Sequence, residues 1–329
     1  MSAALNKVED LWFPDGNVII RVGDRVCRVY KGFLASQSSV LADMFSIPQP
    51  PHGEDMMHGT DVMDALPVVA LPDPQEEVTH WLRAMFLPGD FEAHPTPVGS
   101  SQLLAVLRLS HKYDVQYLRR RALVHLAACF PTDVDGVQDI SLNWTSQVNN
   151  IQLQGAESPV AFDARVYTVA NEIGALWLVP FTVYAMHTDT WTSTYAIDDI
   201  VNSDCAISLT LVVRLYKIAN LVQQHFPVGF VSGFSDSECA HDSLCKDYER
   251  RRQCDTIEAL QVIPLTYYSR SSEGHHMAND ICPACCRIML EQYSDACMMF
   301  WEELPATLEL PSWQDLLAIK ARDLDAPRA

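Results

Sequence analysis

Two short runs near the start of the chain alternate apolar and polar positions, Val18-Ile-Ile20-Arg-Val22 and Val26-Cys-Arg-Val29, with Gly23-Asp24 between them. A Gly-Asp pair between alternating runs predicts a two-residue hairpin, because glycine adopts the positive φ that such a turn requires. From Tyr30 the period changes. Phe33, Leu34 and Gln37 step at helical spacing, and Val40, Leu41, Met44 and Phe45 repeat the step, which predicts two short helices. A serine within Ser36–Ser39 should cap the second of them by accepting from its first free amides.

The pattern continues in the same style. Val68-Val-Ala-Leu71 reads as a third strand closed by Pro72. Asp73-Pro74 should then cap and open a helix whose apolar face is Val78, Trp81, Leu82, Met85 and Phe86. A helix from about Ser101 carries Leu103, Leu104, Val106, Leu107 and Leu109 and ends near Asp114; the next carries Leu118, Ala122, Leu123 and Leu126. Farther on, Phe162 to Thr190 reads as a helical hairpin with Pro180 in a first turn or at a kink, and Leu209 to Phe226 as another helix. Ser110 to Leu118 is echoed by Ala170 to Leu178, a likeness that either a repeat or any core helical hairpin would produce.

Two stretches break the periodicity. Residues 46–66, with Pro48, Pro50, Pro51, Gly53 and Gly59, read as a mobile insertion. Residues 131–158, polar and rich in Asn and Gln, read as a linker. The expected organisation is α+β: a strand-and-helix domain over 12–130, the linker, and a mainly helical domain over 159–329.

Composition narrows the function. With 48% apolar residues in 329, there is material for two cores. No apolar stretch approaches the roughly 20 residues that span a bilayer, and Met1 to Asp10 lacks the parts of a signal peptide. An intracellular protein, cytoplasmic or nuclear, is expected. A formal charge of −19 argues against nucleic-acid binding, and the basic clusters Arg119–Arg121 and Arg250–Arg252 read as solvated helix faces. No Gly-rich phosphate loop, Gly-x-Ser-x-Gly elbow or His-Glu-x-x-His pair occurs, so an enzyme is not expected.

Cysteines supply the candidate chemistry. Cys239-x5-Cys245 is followed by Cys282-Pro-Ala-Cys285-Cys286. Zinc takes four thiolate or imidazole ligands in a tetrahedron, and a Cys-x-x-Cys turn delivers two from adjacent backbone. Cys282, Cys285, Cys239 and Cys245 therefore form a candidate set for one structural zinc, with His241 as a substitute for either early member and Cys254 or Cys286 as another. Cys282-x-x-Cys285 opens a predicted helix, which would place its thiolates at a positive helix end. Buried free thiols are the competing reading. A redox dithiol would need a strand before the motif, and His275 to Asp280 reads as loop.

The opening residues resemble those of the BTB/POZ domain, in which Asp-Gly leads into a hairpin and a His-Lys pair starts a helix ending in Ser-x-x-Phe-x-x-Met-Phe. Asp15-Gly16, Lys31, Leu34, Ser38, Leu41, Met44 and Phe45 match, while Tyr30 stands for the usual His and Leu41 for the usual Phe. The C-terminal third is similar to large fungal BTB families with a Cys pair, a later Cys-x-x-Cys, and the motifs seen here as Phe300-Trp301-Glu-Glu-Leu304-Pro305 and Leu310-Pro311-Ser-Trp313-Gln-Asp-Leu316. The resemblance implies non-enzymatic protein association, with itself or with other BTB proteins, through Trp12, Phe13, Phe33 and Leu34. An alternative that it implies is a substrate adaptor for a cullin-type ubiquitin ligase.

Overall fold

The computed structural model describes residues 5–47, 62–63, 66–147, 150–155, 157–192, 208–227, 239, 245, 263–266 and 281–325. The chain is mixed α+β, with a small N-terminal sheet and helices after it, in two units. The first runs to His125 and takes back Asn150–Gln154; the second comprises Leu126–Asn149 and Gly155–Asp325. Among the described residues no helix is long and apolar enough to cross a membrane.

In the first unit, β1 (Asn6–Trp12), β2 (Val18–Val22), β3 (Arg25–Val29), β4 (Val62–Met63) and β5 (Leu66–Ala70) form one sheet in the order β1-β3-β2-β5-β4. The predicted hairpin is β2–β3, antiparallel from Val18 opposite Val29 to Val22 opposite Arg25. Gly23 takes φ +57 at its turn, where a Cβ would also press on the Gln75 side chain. β5 joins β2 in parallel, and β1 joins the other edge, parallel to β3. β1, all but its last residue, precedes the predicted 12–130 domain. Its burial is confined mostly to Leu11, so it carries little of the alternation that marks a half-buried strand.

The predicted helices follow: α1 (Lys31–Gln37), α2 (Ser39–Ser46), α3 (Gln75–Phe86), α4 (Ser100–Lys112) and α5 (Gln116–Cys129). Ser38 caps α2, its Oγ accepting from the Leu41 amide at 3.0 Å. Asp73 does not cap α3. Its carboxylate accepts from the Lys112 ammonium and the Tyr113 hydroxyl, each at 2.6 Å, and so joins α3 to the end of α4 instead. α3 and α4 pack together over Trp81, which is fully buried, stacks on Tyr113 at 4.9 Å and donates to Ser110 Oγ at 3.1 Å.

The stretch 131–158 contains α6 (Val134–Gln147) and β7 (Ile151–Gln152); β7 pairs in parallel with β6 (Val98–Gly99) inside the first unit. It looks like a linker in the sequence because its apolar stripe is thin, with Val137 and Ile140 buried amid polar residues. Most of the 46–66 insertion lies outside the described residues.

The second unit continues with α7 (Pro159–Ile173), a short 3-10 turn (Leu176–Leu178), α8 (Val179–Thr192), α9 (Leu209–His225), α10 (Pro283–Thr307) and α11 (Trp313–Leu324). Pro180 falls in the first turn of α8, where its missing amide costs nothing. The echoed segments share a local geometry, since Asp114 and Gly174 occupy matching positions and both break their helices with positive φ.

Trp81→Ala should lower stability by ~3–5 kcal/mol in urea titration, through lost burial, stacking and an orphaned Ser110 partner. A loss no greater than that of the exposed Arg120→Ala would contradict this packing.

Candidate metal centre

The α10 helix begins where the sequence predicts. Cys282 is its N-cap in extended conformation and Pro283 its first residue, a position that suits proline because that amide has no helical partner. One turn on, Cys285 faces the same way as Cys282, and both are buried. Cys245, also buried, and the half-buried Cys239 meet them. All four sulfurs lie within 4.8 Å of one another, and among the described residues this is the one such group of three or more His, Cys, Asp or Glu side chains.

The spacing suits a tetrahedral ion. Thiolates ~2.3 Å from a zinc sit about 3.8 Å apart along each edge, and the Cys282 and Cys239 sulfurs are 4.0 Å apart. The Cys282 amide donates to Cys245 Sγ at 3.3 Å, a bond that stabilises sulfur carrying negative charge. Without a cation the arrangement is unfavourable for thiolates. Burial pushes the Cys245 and Cys285 thiols up, and for Cys285 the hydrogen bonds with Cys282 and Cys239 push in the same direction. A bound dication reverses that balance, which is what a buried all-sulfur cage requires. The donor set is soft and closed, fitting a structural ion rather than one with an open position for substrate.

Of the other described cysteines, Cys27 and Cys297 are buried and Cys129 and Cys286 half-buried. Burial raises Cys27 and Cys297 to about 12 and Cys129 to about 11, and none of the three belongs to the cluster. Cys286 follows Cys285 but stays outside the sulfur cage. His241 and Cys254, the substitute ligands, lie outside the described residues, as do Arg250–Arg252.

The candidate interface residues are divided by the fold. Leu34 is 0% exposed and belongs to the core, so it presents nothing to a partner. Trp12 is half-buried with the Lys7 ammonium 4.3 Å over its ring. Phe13 and the exposed Phe33 both contact Phe86, at 5.6 and 4.9 Å, and Phe13 meets Tyr30 at 5.1 Å. Tyr30 and Phe86 thus complete a ring cluster that the spacing of residues along the chain did not reveal. Tyr30 also donates to Asp15 Oδ1 at 2.6 Å, tying the start of α1 to the Asp-Gly turn.

Comparisons with family models, with curated proteins and with solved structures find no match.

Cobalt(II) added to the reduced, metal-free protein should give the intense visible and near-ultraviolet bands of a tetrahedral thiolate complex, and Cys285→Ser should weaken or shift them. An octahedral cobalt spectrum, or one unchanged in Cys285→Ser, would rule out this ligand set.

Proposed function

We propose that this chain acts by protein association, through an N-terminal module of the BTB type, and that zinc is the structural ion of its second unit. The observation that carries the association reading is the ring cluster of Phe13, Tyr30, Phe33 and Phe86 at the start of α1. Its members are half-buried or, in Phe33, exposed, and they adjoin one another, whereas Trp81 and Leu82 of the same unit are buried completely. An apolar surface held open in this way is a place for another protein to bind. The order hairpin, two helices, two strands, helix, strand, two helices supports the BTB reading, together with the Asp15-Gly16 and Ser38-to-Phe45 motif. A second copy of the chain or another BTB module is the proposed partner. The cullin-adaptor alternative has no residue of its own to rest on.

Zinc is preferred because four cysteine sulfurs within 4.8 Å of one another match the donor set it favours and because the site joins chain segments far apart in sequence. Structural zinc in such cages contributes on the order of 10–16 kcal/mol of apparent binding energy at pH 7, which becomes folding energy.

Sedimentation equilibrium of the full chain should show self-association that Phe33→Asp weakens by about tenfold or more. Phe33 is exposed, so the variant should keep its circular dichroism and unfolding midpoint. A monomer at all accessible concentrations, or a dimer indifferent to Phe33→Asp, would refute association through this surface.

A further inference from the structure

The second unit also contains a groove of about 580 Å³ between the start of α6, one face of α10 and the first turns of α11. Its floor is fixed. Tyr293 donates its hydroxyl to the Pro264 carbonyl at 2.8 Å, and Trp301 donates to the Thr132 carbonyl at 3.3 Å. Trp313 stacks on Trp301 at 5.1 Å with the ring planes 16° apart, and its indole N–H is held by the Trp301 carbonyl at 2.7 Å. The three rings of the lining thus have their polar atoms bonded already and offer apolar faces to a ligand.

Ser294, Met298 and Glu302 line the groove at successive turns of α10. At 1.5 Å per residue they mark out a length of about 12 Å, which suits a stretch of peptide better than a compact metabolite. Met298 is 62% exposed and Leu317, opposite it on α11, 44%. Asp133, Asp135 and Glu302 are the charged side chains of the lining, and all three are exposed. Among the described residues no lysine or arginine lines it. Lys320 lies close enough to Asp133 to feel its charge, but its half-buried ammonium donates to Thr132 Oγ1 at 2.9 Å and sits 5.2 Å from the Trp177 ring. Among the described residues one cation thus offsets part of one carboxylate, and their balance at the groove is acidic.

We infer that this groove docks a basic, amphipathic segment of a partner protein, with arginine or lysine side chains toward Asp133, Asp135 and Glu302 and apolar ones on Met298, Leu317 and Trp313. A guanidinium can pair with a rim carboxylate and lie against the half-buried Trp313 indole at once, a combination that a lysine ammonium meets less well. The chain's net charge of −19 favours the approach of such a segment over long range and discourages acidic ones. The inference is independent of the N-terminal module and would survive the failure of the BTB reading.

The test is fluorescence anisotropy of the full-length protein with a fluorescein-labelled peptide alternating arginine and leucine, against a glutamate–leucine peptide and an arginine–serine peptide. The arginine–leucine probe should bind most tightly and weaken with added salt. The double variant Asp135→Lys, Glu302→Lys should weaken it by about tenfold or more, and Met298→Ser should weaken it with no change in salt dependence. Asp43→Lys, an exposed carboxylate of the first unit, is the control and should have no such effect. Equal loss in Asp43→Lys would show general charge attraction and overturn the inference. So would equal binding of the arginine–serine peptide, the absence of binding, or a double variant that alters self-association and leaves peptide binding intact.

Discussion

The second unit depends on how one helix is held. α10 lies against α6 and α9 and also meets side chains of α8 and α11. Phe300 meets Tyr184 of α8, His225 of α9 and neighbouring Phe226, all with ring centres about 6 Å apart. Trp301 reaches Thr132 before α6 and Trp313 on α11. The carbonyl of Leu308, just past its end, accepts from Arg214 of α9 at 3.0 Å. These contacts fix the middle and end of α10. Its first turn has the sulfur cage instead, and a 25-residue helix unanchored at one end would fray from there. A cation bound by Cys239, Cys245, Cys282 and Cys285 would fasten that end to two segments distant in sequence.

The first unit is stabilised differently, by a sheet one layer thick and a helical pair. Trp81 and Tyr113 join α3 to α4, and Asp73 adds two bonds to the same seam. Paired carboxylates and guanidinium groups, such as Glu77 with Arg108 and Asp10 with Arg83, lie nearer the surface and add less. In the first unit the ring cluster at α1 stands partly uncovered, and in the second so does the carboxylate-rimmed groove along α10. The two surfaces differ in chemistry, one aromatic and the other carboxylate-rimmed.

Much of this was legible in the sequence where a local rule decides the outcome. Gly23 fixed the hairpin, Ser38 the cap of α2, and Cys282-Pro283 the start of α10, because turn, cap and N1 preferences act within a few residues. The local rule fails at Asp73 because its partners, Lys112 and Tyr113, are far along the chain, and they outcompete nearby amides. α6 was hidden by its narrow apolar stripe, and β1 by having polar residues on both faces. The same limit applied to the sites. Spacing suggested which cysteines belong together, but only the fold shows four sulfurs converging, places Leu34 in the core and sets the Trp301–Trp313 stack beside three carboxylates.

The central claim is that a bound ion at the sulfur cage organises the second unit. Hydrogen exchange measured on the zinc-loaded protein, and again after complete removal by a strong chelator under reducing conditions, tests it most directly. The account predicts that amides from Cys285 to Met289 lose protection first, that the loss spreads along α10 toward Phe300, and that β2 and β3 keep theirs. Unchanged protection along α10 once the zinc is verifiably gone, or a purified protein that takes up no zinc, would contradict it.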